Sequence, residues 1–471
     1  VLSLAQLMDV LDGTIVNIAL PSAQQDLAFS AENRAWVVNG YALAFASLLL
    51  LGGRLSDRFG RKRLFLIGLI GFASASAVGG AANGFTMLLA ARIAQGVFAA
   101  ALAPAALSLV SVTFADDPAQ HGRAFAVFGA VSGMGGVVGL ILGGLLTDAL
   151  SWRWCLYINL FIAAVAFLGA LVFVDDRPAS SRKASLDAAS AALIAAGLFG
   201  LVYGLTHAAD HGWRSTDTMI PTLAGLAAII GFVIRQGITG HPLLPLRVIL
   251  DRDRGASLLA IGFAGIGSFA LFLFLTYYLQ ETLGFSPLRS GLAFTPMVAM
   301  LIVGSAISGS LLLPRTGPRP LVPAGCLLAA TSLALLTRIG AHSEYTTHVL
   351  PSLLLLGLGF GCIFSCAQNV ATSKLEAQDT GVASATVSTI QQIGGAVGLA
   401  VFTSISASAI DSYLDARGGA SGAASDQVLA TLYSDHVVFW VAAAVFAAGA
   451  ALTAMLYRSG PARLTRSSAT A

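Results

Sequence analysis

Fourteen times along its 471 residues the chain runs through about 20 mostly apolar residues before a charged or turn-forming stretch interrupts it. The runs lie near 2–21, 35–53, 64–82, 87–113, 124–148, 154–174, 188–206, 218–235, 256–279, 290–312, 321–340, 349–372, 383–409 and 436–457. At a rise of about 1.5 Å per residue, each is long enough to cross a hydrocarbon layer of about 30 Å as a helix. Inside that layer no water can satisfy backbone N–H and C=O groups, so each run must be helical. Charged residues make up 10% of the chain and hydrophobic ones 56%. Soluble domains carry about 25% charge, so the sequence encodes an all-α polytopic membrane protein.

Charge in the connecting loops sets the orientation. If the N-terminus is cytoplasmic, nineteen Lys and Arg residues fall on the cytoplasmic side and six on the other, leaving Arg92 within a span. That asymmetry obeys the positive-inside rule and puts both termini in the cytoplasm. Lysine occurs only at positions 62, 183 and 374, and this Arg bias points to a GC-rich bacterial genome and hence a bacterial inner membrane. The net charge of +3 serves topology, and no nucleic-acid partner is expected. The first residue already reads as helix, so a short preceding tail is expected and a cleavable signal peptide is not. Cys155, Cys326, Cys362 and Cys366 all fall in spans, without the His or further Cys that a metal site needs, and read as small core residues. The seven histidines lie in loops or at span ends, which argues against a histidine proton relay.

The chain contains a weak internal repeat. Gly53–Leu64 recurs as Ser310–Leu321, and Gly135-Gly136-Val137-Val138-Gly139-Leu140 as Gly394-Gly395-Ala396-Val397-Gly398-Leu399, at offsets of 257 and 259. Nearly equal offsets imply two parallel halves related about the membrane normal. The expected division is a six-helix bundle over 1–174, an inserted helix pair with linkers over 175–255, a second six-helix bundle over 256–457 and a tail over 458–471. The longest polar loop, near 411–434, is too short for a catalytic or nucleotide-binding domain.

Span 1 carries Asp9 and Asp12, one helical turn apart and expected to share a face, with Asn17 at its edge. An acid near mid-bilayer costs on the order of 2.5–3.5 kcal/mol, and such residues usually line a pathway or relay protons. The alternative is a structural ion pair. Arg92 must likewise face the bundle interior and find an acceptor: Asp12, Asp9, Gln95 or a backbone carbonyl. Burial and a neighbouring guanidinium push a carboxyl group's proton affinity in opposite directions. A carboxylate whose Arg contact changes with conformation would therefore bind its proton differently in each state.

Four motifs together resemble the major facilitator superfamily, in its fourteen-span drug:proton antiporter branch. Gly53-x-Leu55-Ser56-Asp57-Arg58-x-Gly60-Arg61-Lys62-x-Leu64 looks like the loop 2–3 signature, with Ser56 where Ala is usual. Leu88-x-x-x-Arg92-x-x-Gln95-Gly96 resembles the span 4 signature associated with proton transfer. Leu11–Pro21 is similar to the span 1 signature. Gly135-x-x-x-Gly139-Leu140-x-x-Gly143-Gly144-x-Leu146 is similar to the span 5 antiporter signature, with Leu140 in place of its Pro. The small residues at 135, 139, 143 and 144 permit close helix approach, and losing the Pro should remove a kink.

The resemblance implies a major facilitator fold of two six-helix bundles plus two inserted helices. It implies a loop in which Gly53, Asp57, Arg58, Gly60 and Arg61 latch one conformation, with Asp12 as proton-coupling carboxylate, Arg92 as its partner and Asp9 as accessory acid. The cavity should be mostly apolar, with scattered polar groups from Asn17, Asn39, Tyr41, Gln95, Tyr277, Tyr278, Gln280, Asn369 and Gln392. No acid lies within the second half's spans, so hydrophobic neutral or monocationic substrates are expected. The implied function is proton-driven export of drugs or natural products by a monomer in the lipid bilayer, needing the proton gradient and neither cofactor nor metal. Export of an endogenous lipid or lipophilic metabolite fits the same features. No nucleophile–base or metal constellation suggests an enzyme, and a transporter-like sensor would call for an output domain.

Overall fold

The computed structural model describes residues 1–30, 33–114, 118–174, 187–240, 242–244, 249–373, 377–417 and 424–458. Fourteen long helices fill the described residues: α1 (Leu2–Leu27), α2 (Arg34–Phe59), α3 (Arg61–Gly80), α4 (Phe85–Thr113), α5 (Pro118–Ala149), α6 (Trp154–Phe173) and α7 (Ala188–His211) come first. After them follow α8 (Thr216–Ile238), α9 (Arg252–Thr282), α10 (Pro287–Thr316), α11 (Pro318–Leu336), α12 (Tyr345–Thr372), α13 (Ala377–Asp415) and α14 (Ala424–Leu456). Twelve are long and apolar enough to cross a membrane; α2 and α5, at 26 and 32 residues, are long enough as well. Each predicted run thus coincides with one helix. The helix end that leads into Arg54–Arg63 is called the basic end below.

The two halves of the sequence repeat share backbone geometry. Gly60, between α2 and α3, has φ +99°, and Gly317, between α10 and α11, has φ +76°. A side chain at Gly60 would meet open space, so only the backbone demands glycine there. Gly60→Ala is therefore expected to cost about 1–2 kcal/mol through left-handed strain alone. Thermal unfolding of detergent-solubilised protein checks this, and an unchanged transition would contradict it.

Contacts divide the chain into two compact units. The first comprises Val1–Leu244, Leu271–Ala293 and Leu399–Ser404; the second comprises Pro245–Ala270, Phe294–Gly398 and Ile405–Ala471. The pair α7–α8 falls in the first unit together with the first six helices. Within the pair, Gly197, Gly200 and Gly204 of α7 face α8 near Gly225, each without room for a Cβ. The pair meets α2 through Trp36 and Tyr203, whose rings are 6.1 Å apart, and Arg54 donates to the Pro242 carbonyl at 2.6 Å. The other side of α8 is apolar and exposed, at Ile220, Leu223, Ile230 and Ile234, as a lipid-facing helix should be.

Asp187 closes the basic end of the pair. Its carboxylate accepts the Ser190 N–H at 3.1 Å as an N-cap and pairs with Arg235 of α8 at 3.0 Å. The Arg235 guanidinium holds this carboxyl at about 2, below the ordinary 3.8. A lowered value means the stabilisation is complete above the unfolded-state value and is lost only as pH falls through about 2. Between pH 5 and 8 the tie is constant. Asp187→Asn is accordingly expected to weaken the α7–α8 pairing without moving the pH profile of transport, and a displaced profile would contradict that.

In the second unit, Arg252 at the start of α9 donates to the carbonyls of Met455 and Leu456, at 2.8 and 2.6 Å, capping α14. Gly394 and Gly398 of α13 pack on Gly262 and Ile266 of α9. Gly135 and Gly139 of α5 pack in the same manner on α1 in the first unit, as the repeat requires.

Candidate functional site

The position of α1 is set by α5. Cβ atoms built at Gly135, Gly139 and Gly143 would press on Val10, Leu11 with Thr14, and Ile15 of α1. Small residues at four-residue spacing thus let the two backbones approach closely. α5 is one unbroken helix through Leu140. Gly144 faces another way, with Leu288 and the Pro287 carbonyl of α10 each 2.6 Å from its notional Cβ. With one side of α1 occupied by α5, Asp12 turns toward α4 and α6.

There Asp12 is fully buried and both of its oxygens are occupied. Oδ2 accepts from Nη1 of Arg92 at 2.5 Å; Oδ1 accepts from Nε2 of Gln95 at 3.0 Å and Nδ2 of Asn159 at 2.7 Å. Arg92 is 2% exposed and makes further bonds, to Oε1 of Gln95 at 2.8 Å and the Val37 carbonyl at 3.2 Å. Ser76 of α3 accepts from Gln95 at 2.7 Å and from Asn159 at 3.4 Å. A charge pair in a low-dielectric interior is favourable only when hydrogen bonds supplement the Coulombic attraction, and here α2, α4 and α6 supply them.

Asp9 does not join this network. It is half-buried and accepts a hydrogen bond from Oη of Tyr41 on α2. The Tyr41 ring lies 4.5 Å from the Arg92 guanidinium carbon, within cation–π range. The two acids therefore address different helices instead of one shared partner. Gly96 packs on the Tyr41 carbonyl, which brings α4 and α2 together at this level.

Asn159 and Ser76 were not singled out from the sequence. The signal for Asn159 was an amide within the first two turns of the otherwise apolar span 6, which needs a partner just as Arg92 does.

The expected cavity residues take several positions. Asn17 is buried and donates to the Gly13 carbonyl of its own helix at 3.0 Å. Asn39 is fully buried, and neither its amide nitrogen nor its oxygen has a partner among the described residues. Tyr277 donates to Oε1 of Gln24 at 2.8 Å, beneath the Arg34 guanidinium at 3.8 Å, and Gln280 donates to the Ile18 carbonyl at 3.1 Å. Arg34 also pairs with Glu281 at 3.4 Å. These contacts tie the ends of α1, α2 and α9 opposite the basic end within the first unit. Tyr278 is buried. In the second unit, Oε1 of Gln392 is buried without a partner among the described residues, and Asn369 is exposed near the end of α12.

In the loop 2–3 motif, Arg58 is exposed over the Phe59 ring at 5.7 Å, and Arg61 opens α3. The Asp57 side chain lies outside the described residues. Gly53 meets only Pro104, at an ordinary 3.9 Å, whereas a Cβ on Gly52 would overlap the Ala100 carbonyl. The close contact of α2 with α4 here is made by Gly52. Among the described residues, no three His, Cys, Asp or Glu are grouped to hold a metal ion.

Residues 2–399 match the family described as the Major Facilitator Superfamily. The chain is 46% identical over 424 residues, 90% of its length and 84% of the relative's, to the puromycin resistance protein pur8 of Streptomyces alboniger. It is 36% identical over 437 residues, 92% of its length and 87% of the relative's, to the cephamycin export protein CmcT of Amycolatopsis lactamdurans. Among solved structures, the POT family transporter PepTSo matches with TM-score 0.68 and 15% identity, covering 97% of this chain and 98% of the other, a likeness of fold.

Proposed function

Because the chain belongs to the Major Facilitator Superfamily, and is thus a multi-pass membrane transporter, we propose that it exports hydrophobic, neutral or monocationic antibiotics or similar natural products in exchange for protons. The observation that carries the reading is the buried Asp12–Arg92 pair between α1 and α4. Removing an ion pair from water costs several kcal/mol per ion, and a satisfied structural tie can be made more cheaply from apolar residues. Retaining it in hydrocarbon is reasonable where its charges do work.

In this reading, Asp12 and Arg92 hold one conformation together while paired. Proton uptake by the acid cluster of α1 changes the charge balance around Arg92, and substrate and proton alternate as occupants of the transporter. Relatives named for puromycin resistance and cephamycin export support a natural-product cargo. The N-terminus and the basic end are assigned to the cytoplasm of a bacterial inner membrane, on the loop charge asymmetry.

Puromycin is the first probe. Expression in an efflux-deficient bacterium is expected to raise puromycin tolerance several-fold, with tolerance lost on adding a protonophore or on Asp12→Asn. Unchanged tolerance across a panel of hydrophobic antibiotics would remove the drug-export reading. A long dication is expected to be exported far more slowly than a monocation of similar bulk, because the second-half helices offer no acid at mid-span. Equal rates would contradict that part.

A further inference from the structure

The acid cluster has a charge count that bears on where a proton sits. With both acids ionised, Asp9, Asp12 and Arg92 leave one uncompensated negative charge among α1, α2 and α4, at a depth where charge is expensive. One proton makes the cluster neutral.

The two acids are unequal hosts for it. Both oxygens of Asp12 already accept from three donors, one of them cationic, and the residue is sealed from solvent. A proton there would discharge the shared acceptor of all three donors and leave the buried Arg92 guanidinium without its counter-charge. Asp9 accepts from Tyr41 through Oδ1, and its other oxygen has no hydrogen-bond partner among the described residues. It is half-buried and one turn nearer the basic end. The charged and titratable groups around it are Asp12 on its own helix, Tyr41 from α2 and Arg92 from α4. α5 presents Gly135 against Leu7 and Val10, and α6 contributes the neutral Asn159, already bonded to Asp12.

We infer that the coupled proton binds Oδ2 of Asp9, that Tyr41 is its positioning residue, and that Asp12 stays ionised as the fixed counter-charge of Arg92. The inference rests on the proton-coupled reading above and names the group within it. Proton arrival forms one O–H bond at Oδ2 of Asp9 and discharges the carboxylate; release to the opposite side reverses the step. While Asp9 is ionised, the Tyr41 hydroxyl donates to a charged acceptor and holds α1 to α2. Once it is protonated, that bond is neutral–neutral and roughly half as strong. Proton occupancy is therefore sensed by α2, the helix that runs on into the loop at Gly60.

The test deletes one neutral donor from each acid. Substrate-induced proton release is measured against pH in weakly buffered detergent solution, on variants that still bind puromycin. Tyr41→Phe keeps the ring under Arg92 and is expected to raise the pH midpoint of release by about one unit, the equivalent of one hydrogen bond to a charged group. Asn159→Ala is expected to leave the midpoint in place. As a second readout, the substrate-induced infrared difference band of a protonated carboxylic acid is expected to be present in the wild type and absent in Asp9→Asn. A midpoint that moves in Asn159→Ala and stays in Tyr41→Phe, or a band that survives Asp9→Asn, would overturn the assignment while leaving proton coupling intact. If the wild type releases no proton at any pH, it is the proton-coupled reading itself that fails.

Discussion

Arg92→Gln is expected to destabilise the folded transporter by about 3–5 kcal/mol, the cost of removing one partner from a buried ion pair. Arg92 donates to Asp12, to Gln95 and to the Val37 carbonyl from a site that is 2% exposed. Glutamine cannot reach these acceptors, and Asp12 would keep two neutral donors against a full charge. Asp12→Asn alone is also expected to destabilise, by leaving the guanidinium without its counter-charge. The double variant Asp12→Asn with Arg92→Gln removes both charges and should recover a substantial part of the loss, giving a coupling energy of the size that double-mutant cycles find for neighbours. Transport driven by a proton gradient should stay lost in the double variant. Thermal unfolding in detergent measures the first quantity and reconstituted transport the second. Additive destabilisation would mean the pair contributes no interaction energy, and recovered transport would mean its charges have no part in coupling.

Gly139→Val carries the other large expected effect. A Cβ at this position would overlap Oγ1 of Thr14 and lie 3.0 Å from the Leu11 carbonyl, so α1 and α5 would have to separate beside Asp12. Overpacking a well-filled interface costs about 1–3 kcal/mol, more when the obstacle is backbone. Moving α1 also draws Asp12 away from donors on α4 and α6 that depend on its present position. Transport should fall at least tenfold, which about 1.4 kcal/mol of misalignment suffices to produce. Gly136→Ala is the internal control, because a Cβ there meets nothing within 4 Å. Equal loss in both variants would show that helix propensity or expression, and not the α1–α5 contact, is responsible.

Much of this arrangement was legible before any coordinates. Fourteen apolar runs can only be helices in lipid, and a lone guanidinium in such a run must seek an acceptor, which left Asp12, Asp9, Gln95 or a backbone carbonyl as candidates for Arg92. Helix geometry alone did not choose between the acids; the choice of Asp12 came from the family resemblance. Residues three apart on a helix are offset by about 60°, close enough to be read as one face. Yet that offset suffices to aim Asp9 at α2 and Asp12 at α4 and α6. Asn159 and Ser76 stayed hidden because single small polar residues are common inside spans and nothing local tells which way they point. The π-helical turn Tyr278–Thr282 changes the helical register around Gln280, so the face it presents could not be counted out from α-helical periodicity.

The central claim is that a proton gradient drives substrate movement through the acid cluster of α1. It is tested most directly by puromycin accumulation in proteoliposomes under an imposed pH gradient, comparing wild type with Asp12→Asn. Wild-type vesicles should accumulate puromycin against its concentration gradient and lose it when a protonophore collapses the pH difference, and Asp12→Asn vesicles should only equilibrate. Accumulation that ignores the gradient, or that persists in Asp12→Asn, would contradict the account.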